Sequence, residues 1–386
     1  MEWFVMVHAI IDIGSNSIRL AIYKVDEDQL TILLNKKYTA GLAAYVKNEE
    51  MTQVGIDKTC EVLDEFKVLL DAFHITNVSA FATAALRNIS NSAAAIEQIT
   101  KKTGVVVTVL SGTEEATLDF IGATHATQTK TGLLLDIGGA STELVLYEDG
   151  LIVNAVSLPI GSLNAYGQYV HYLLPNKSER KAIKEAVLAE LSKITDLDSA
   201  KQAFVCGVGG SIRAAGKINN YLFNLPLDTD EIKAPNVKKM IKLLENDEED
   251  DLISSETLNI LLKTVPDRIE TILPGMIILH TLIKYFKSET IVVSKSGVRE
   301  GYLYKNIIFP KKTSDKSIPT NKTKGQAKGE PASQPTDAQK VRKMPKAAKT
   351  PRAPKIAKEM ADKTKPEKIE QEKIVAEVQD GQSKES

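Results

Sequence analysis

The stretch IDIGSNSIRLAIY at residues 11–23 returns as LLDIGGASTELVLY at residues 134–147. Each copy has an apolar strand, an Asp-Ile-Gly turn, a short polar loop with a serine, and a second apolar strand. Asp12 and Asp136 therefore hold matching positions. Apolar segments joined by a glycine-bearing reversal read as a hairpin. A hairpin built twice, each copy opening a run of alternating strand and helix patterns, restricts the chain to two similar α/β units with at least some parallel pairing.

In the first unit the hairpin runs from about Val5 to Tyr38, turning at Asp26-Glu27-Asp28. Val62, Leu63, Phe66, Leu69, Leu70 and Phe73, at three- and four-residue steps, predict a helix from about Thr52 to Phe73. A strand is expected at 77–83, a helix from Ser92 to Lys102 closed by Gly104, and a strand at 105–110. The pattern restarts after a helix from about Glu114 to Thr127. Strands follow at 132–136, 142–147 and 151–157, then a helix from Lys177 to Leu197 and the strand AFVCGVGGS. Helices fill about 236–287, a strand occupies 290–294, and a last helix begins near Arg299. The junction lies near residues 122–128, giving units 1–124 and 125–310.

From Lys311 to Ser386 the chain has no Phe, Tyr or Trp, contains seven of its fourteen prolines, and carries 19 Lys plus Arg against 11 Asp plus Glu. Such a segment buries too little apolar surface to offset ordering entropy, so 311–386 is expected to be a disordered basic tail. Residues 1–310 are left with 30 basic against 39 acidic side chains, a balance that argues against a nucleic-acid groove in the folded part. The tail is read first as a solvated arm and second as a contact for polyanions. Cys60 and Cys206 lack disulfide-framework or metal spacing, as suits a reducing cytoplasm. MEWFVMVHAI is expected to be a strand and not a signal. The longest apolar stretch, Ile272–Phe286, is interrupted by Pro274, Gly275 and His280 and is too short to span a membrane.

Glycine at a tight reversal lets the backbone approach a ligand closely and leaves N–H groups facing an anion. Ser15 and Asn16 in the first loop, and Gly139 and Ser141 in the second, supply such groups, and the run Gly207–Ser211, with Gly209, is expected to add a third anion-binding loop. Neither GxxxxGK[ST] nor GxGxxG is completed there, so these are not the familiar nucleotide loops. Two facing loops would suit a chain of phosphates. Asp12 and Asp136 beside bound phosphate would repel it unless Mg²⁺ or another divalent cation stood between, with Glu143, seven residues past Asp136, completing the site. Either Asp could instead cap its own loop. In SGTEEATLDFIGA, Ser111 and Glu114 have capping-box spacing. Glu115 is left without a capping role, in a first turn whose dipole favours the ionised form a general base needs. Arg87, in TAALRN, is a candidate phosphate clamp, with a surface ion pair as its alternative.

Taken in order, IDIGSNS, TAALRN, SGTEEA, LLLDIGGASTELVL, LPIGS, GVGGSIRA and SGVREGYLY resemble the exopolyphosphatase/guanosine pentaphosphate phosphohydrolase (Ppx/GppA) family, within the superfamily of actin and sugar kinases. The resemblance covers residues 8 to about 306. It implies two actin-like, ribonuclease H-like domains with a cleft between them. It also implies Mg²⁺-dependent hydrolysis of the terminal phosphoanhydride of inorganic polyphosphate or, alternatively, of pppGpp, and a homodimer. By the same similarity Glu115 activates water. Asp136 and Glu143 fall on metal-associated positions, and Arg87, Ser15, Asn16, Gly139, Ser141 and Gly209 on phosphate contacts. Ala140 departs from a commoner glycine, and residues 311–386 are expected to stand in place of the helical domain of longer members. A kinase of the same superfamily and a non-catalytic sensor are the rival readings.

Overall fold

Val5–Ile13 (β1), Ser17–Asp26 (β2) and Gln29–Thr39 (β3) form an antiparallel meander, the expected first hairpin extended by its return strand. Beyond a two-rung ladder of Val46–Lys47 (β4) with Glu50–Met51 (β5), Thr52 caps the helix Gln53–Ala72 (α1) by accepting from the Gly55 N–H. That helix buries Ile56, Val62, Leu63, Phe66 and Leu70 against the sheet, whereas Phe73, expected on the same face, is its exposed C-cap. Val78–Ala82 (β6) and Val107–Val109 (β7) then add in parallel beside β1, giving the order β3-β2-β1-β6-β7. Two helices link them. The four-residue Ala84–Arg87 (α2) had no periodic signature, and Ser92–Thr103 (α3) ends at Gly104, whose φ of 73° closes it as expected.

The computed structural model describes residues 5–125, 130–194, 201–245 and 253–310. The tail expected from 311 to 386 lies outside the described residues, as do parts of the expected 122–128 junction and the ends of two expected helices. The described residues belong to one compact unit.

The second half repeats the first sheet in the same order. Gly132–Ile137 (β8), Thr142–Glu148 (β9) and Leu151–Leu158 (β10) make the meander. Phe204–Val208 (β11) and Thr290–Val293 (β13) add in parallel, with Glu231–Lys233 (β12) as an extra antiparallel edge. The unbroken Leu133-Leu134-Leu135 reflects a central strand covered on both faces. Ser162–Tyr169 (α5), Lys177–Ser192 (α6), Gly209–Leu222 (α7), Ala234–Leu244 (α8), Ser255–Thr264 (α9) and Ile269–Tyr285 (α10) belong to this half. The α10 helix runs through Pro274, but among the described residues no helix is long and apolar enough to cross a membrane.

Gly112–Thr124 (α4) and Val298–Leu303 (α11) follow the last strand of each half and exchange partners. Ala116, Phe120 and Ala123 of α4 pack on Leu134, Val145 and Tyr147 of the second sheet. Leu303 of α11 packs with Leu118 on Ile10, Tyr23 and Phe81 of the first. The two helices cross at glycines. A Cβ on Gly301 would stand 1.8 Å from the Leu118 carbonyl oxygen, and one on Gly122 2.1 Å from that of Gly297, so neither position tolerates a side chain without separating the helices. This crossing connects the two sheets.

Candidate active site

Both Asp-Ile-Gly turns are closed by the same bond: Gly14 N–H donates to the Ser17 carbonyl at 3.1 Å, and Gly138 N–H to the Ser141 carbonyl at 3.0 Å. They face each other. A Cβ on Gly139 would lie 3.2 Å from Ser15 Cβ and 3.5 Å from the Asn16 nitrogen, so the tips meet and a side chain there would press on Ser15. Strand register sets Asp12 opposite Arg19 and Asp136 opposite Glu143. The two hairpins are thus the same device with a cation at one equivalent position and a carboxylate at the other.

Between the turns lies a cleft of about 840 Å³, counting its open mouth, into which Asp12, Ser15, Asn16, Glu115, Asp136, Gly139, Ser141 and Gly209 all face. The expected third loop is a correction: the helix α7 begins at Gly209 itself, straight from the strand β11, so the anion-facing element is a helix N-terminus and not a free loop. Gly209 has φ 84°, and a Cβ there would fall 1.8 Å from Asp136 Oδ1. Its glycine makes room for that carboxylate.

Ser111 and Glu114 form the capping box, with Ser111 N–H donating to Glu114 Oε2 at 2.8 Å and Glu114 N–H to Ser111 Oγ at 3.2 Å. Glu115 is thereby turned inward, only 8% exposed. Burial pushes its carboxyl up to about 7, with Arg87 pulling the other way. The dipole argument for a readily ionised Glu115 is therefore overridden by desolvation. Arg87 is largely buried among carboxylates and does not form the surface ion pair expected as the alternative to a phosphate clamp. Its Nη1 donates to Glu115 Oε2 at 2.5 Å and to the Leu110 carbonyl at 3.2 Å, while Nη2 reaches Ser141 Oγ at 3.4 Å and Glu143 Oε1 at 3.5 Å. Glu143, 1% exposed, accepts from Ser157 Oγ at 2.8 Å and stands behind the cleft wall instead of on it. Burial raises Glu143 and Asp136, the latter opposed by Arg213. Burial also raises Asp12, opposed by Arg299 at 4.0 Å.

Such an arrangement, with N–H groups and serines on two facing turns around a buried carboxylate, accommodates a run of phosphates. The chain matches the Ppx/GppA phosphatase family over residues 21–308. It belongs to that family. A bifunctional 3-dehydroquinate synthase/phosphatase of Fusobacterium nucleatum is 27% identical over 319 residues, which cover 78% of this chain and 46% of the relative. The chain thus spans about half the length of that protein. Exopolyphosphatase 1 of Mycobacterium tuberculosis is 23% identical over 306 residues, covering 77% of this chain and 87% of the relative. Among solved structures, the Aquifex aeolicus Ppx/GppA family member is 26% identical with a TM-score of 0.62, covering 78% of this chain and 97% of that one. The duplicated α/β sheets are the actin-like architecture expected of a Ppx/GppA protein.

Other cleft residues of this family member escaped the sequence reading. Arg19, Arg213, Arg268 and Arg299 all line the cleft. Burial lowers Arg19 to about 10, with Arg299 pushing the same way, and burial also lowers Arg213 and Arg268. For Arg299 burial is outweighed by Glu300, Tyr23 and Asp12, and the net shift is upward. Arg19 sits seven residues past Asp12, the spacing that singled out Glu143 after Asp136, so a signal was present. Asp119, one helical turn past Glu115, is fully buried.

Among the described residues no three His, Cys, Asp or Glu side chains converge tightly enough to hold a metal by themselves. Mg²⁺ commonly takes one or two carboxylates and completes its shell with waters and substrate phosphates. Asp136 fits that role, because it lines the cleft and its buried Oδ1 receives no donor, its carboxyl neighbour being Asp119.

Proposed function

We propose that this chain is an exopolyphosphatase, releasing orthophosphate from the end of inorganic polyphosphate in a cleft between lobes 1–124 and 125–310. The observation that carries the reading is the pair of identically bonded turns meeting across a cleft that holds buried Glu115. Family membership and the exopolyphosphatase name of a relative support it.

In this reading the N–H groups of the two turns, with Ser15, Asn16, Gly139 and Ser141, bind the oxygens of the terminal residues. Gly209 opens the start of α7 to them. The cleft arginines take up charge along the chain. Glu115, held by Arg87, accepts the proton of a water aligned with the terminal phosphorus. Catalysis of this kind is positioning plus electrostatic stabilisation. Asp136, with Asp12 and Glu143 close by, would hold Mg²⁺ or another divalent cation, which supplies positive charge to the reacting phosphoryl oxygens.

Phosphate release from long-chain polyphosphate, pppGpp and ATP, compared with and without Mg²⁺, tests the assignment. Polyphosphate is expected to be the preferred substrate, in a metal-dependent reaction. Faster release from pppGpp would transfer the assignment to the pentaphosphate phosphatase, and a phosphorylated product formed only with ATP would make the chain a kinase. We place the protein in the cytoplasm, as a homodimer, with residues 311–386 contacting polyanions. Deleting that basic segment should raise KM for long polyphosphate at low salt and leave it unchanged at high salt, because charge attraction across water is screened. Equal KM values for the full and shortened chains at low salt would remove the polyanion role.

A further inference from the structure

We propose that Asp119 is a second carboxylate of the divalent-cation seat, forming its floor together with Asp136. The inference rests on the phosphatase reading above and adds to it a residue that neither the duplicated turns nor the capping box explains. Asp119 lies four residues past Glu115 on α4, on the same helix face. It is fully buried, no donor group reaches either of its carboxyl oxygens or Asp136 Oδ1, and the two carboxyl groups stand close enough to hydrogen-bond to each other only when one of them is protonated. A buried carboxylate without donors is costly, and its persistence calls for a bound species.

Both unpartnered groups are flanked by glycine. A Cβ on Gly209 would stand 1.8 Å from Asp136 Oδ1, and one on Gly297 3.0 Å from Asp119 Oδ1. Space is kept open around these oxygens from the start of α7 and the start of α11 alike. Arg213 is near enough to influence both carboxylates, yet its Nη1 donates to the Ser294 carbonyl at 3.3 Å and satisfies neither. On the opposite side of the charge balance, Arg299 Nη1 is also buried without an acceptor. A cleft holding unpartnered anionic oxygens and an unpartnered cationic nitrogen is matched by a ligand of both signs, a divalent cation carrying phosphate. Two carboxylates with phosphate oxygens and water make a customary Mg²⁺ shell, consistent with no three-residue cluster among the described residues.

The rival account is that Asp119 is a neutral carboxylic acid donating its proton to Asp136. Burial and the neighbouring Asp136 do raise Asp119 well above the carboxylate range. Asp119→Asn separates the two, since an amide reproduces a neutral donor but not an anionic ligand. The experiment is a Mn²⁺ titration of the full chain without polyphosphate, followed by electron paramagnetic resonance, with circular dichroism confirming the fold. Asp119→Asn should bind Mn²⁺ about tenfold or more weakly than the parent. Asp119→Leu, of similar volume and apolar, should do the same should the amide variant fold poorly. Equal affinity in a folded variant, or no Mn²⁺ binding by the parent, overturns the proposal. Phosphate release from polyphosphate by the unmodified chain is read in parallel, so that loss of the Asp119 assignment is distinguished from loss of the phosphatase reading.

Discussion

Replacing Glu115 with Gln is expected to cut turnover on polyphosphate by about a hundredfold or more while leaving KM close to its starting value, the range for loss of a positioned general base. Glutamine keeps the shape of the side chain and still offers Arg87 Nη1 an acceptor, where Glu115 Oε2 now sits at 2.5 Å. The substitution leaves both turns untouched, so on the proposed reading binding persists and proton removal does not. Turnover within a few-fold of the parent would dismiss Glu115 as the base.

The same residue gives a pH dependence with a defined sign. Glu115 must be ionised to accept a proton, and burial raises its carboxyl to about 7, so kcat/KM should climb as pH rises toward 7 and level off above it. Stability runs the other way. The folded chain holds this proton more tightly than the unfolded chain, so the favourable contribution is present below about 4.5 and lost as pH rises to about 7. The penalty at alkaline pH is on the order of 3 kcal/mol. Melting temperatures of the parent and of Glu115→Gln should therefore diverge in favour of the variant between pH 5 and pH 8. A base stored in an uncharged, buried state would explain why activity and stability favour opposite ends of that interval.

Much of this architecture could be read from the chain because the informative signals are local. The two Asp-Ile-Gly hairpins, the Leu133–Leu135 run and the Ser111/Glu114 box each depend on neighbours within a few residues, and each forms as its local chemistry requires. Gly104 closes α3 because only glycine readily takes the left-handed conformation there. What stayed hidden depends on contacts distant in sequence. The exchange of α4 and α11 between sheets rests on Gly122, Gly297 and Gly301, whose meaning appears only when two helices 180 residues apart cross. The α2 helix is a single turn, too short for periodicity to register. Gly209 looked like part of a loop because a glycine pair after a strand suits either a nest or a helix start.

The cleft divides along the same line. Residues on the turns were found from their composition and spacing, and they meet as facing loops should. Arg268 was not found, because it belongs to a short turn before α10 and reaches the cleft through space, where a Cβ on Gly210 would lie 2.1 Å from its guanidinium. Arg19 was concealed by a difference between the copies: its counterpart is Glu143, so the duplicated positions carry opposite charge.

Arg87 joins these parts, and its removal should have the second large effect. At the end of α2 it reaches Glu115 on α4 and Ser141 and Glu143 of the second meander, so one guanidinium spans both halves of the molecule. Truncation in Arg87→Met leaves two buried carboxylates without their cation. Where Glu115 is ionised, above about pH 7, breaking this buried pair by deleting one member should cost about 3–5 kcal/mol, which calorimetry or denaturant unfolding would register. The surviving Glu115 would lose the interaction that now draws its carboxyl downward, and its ionisation would move above 7. Activity at neutral pH should then fall steeply and recover in part as pH is raised, a pattern that loss of a phosphate contact alone would not produce. Arg87→Lys, which keeps the charge but not the forked geometry, should retain most of the stability and shift the pH limb less. An unchanged limb in Arg87→Met, accompanied only by a higher KM, would show that Arg87 serves the substrate directly and that Glu115 is tuned without it.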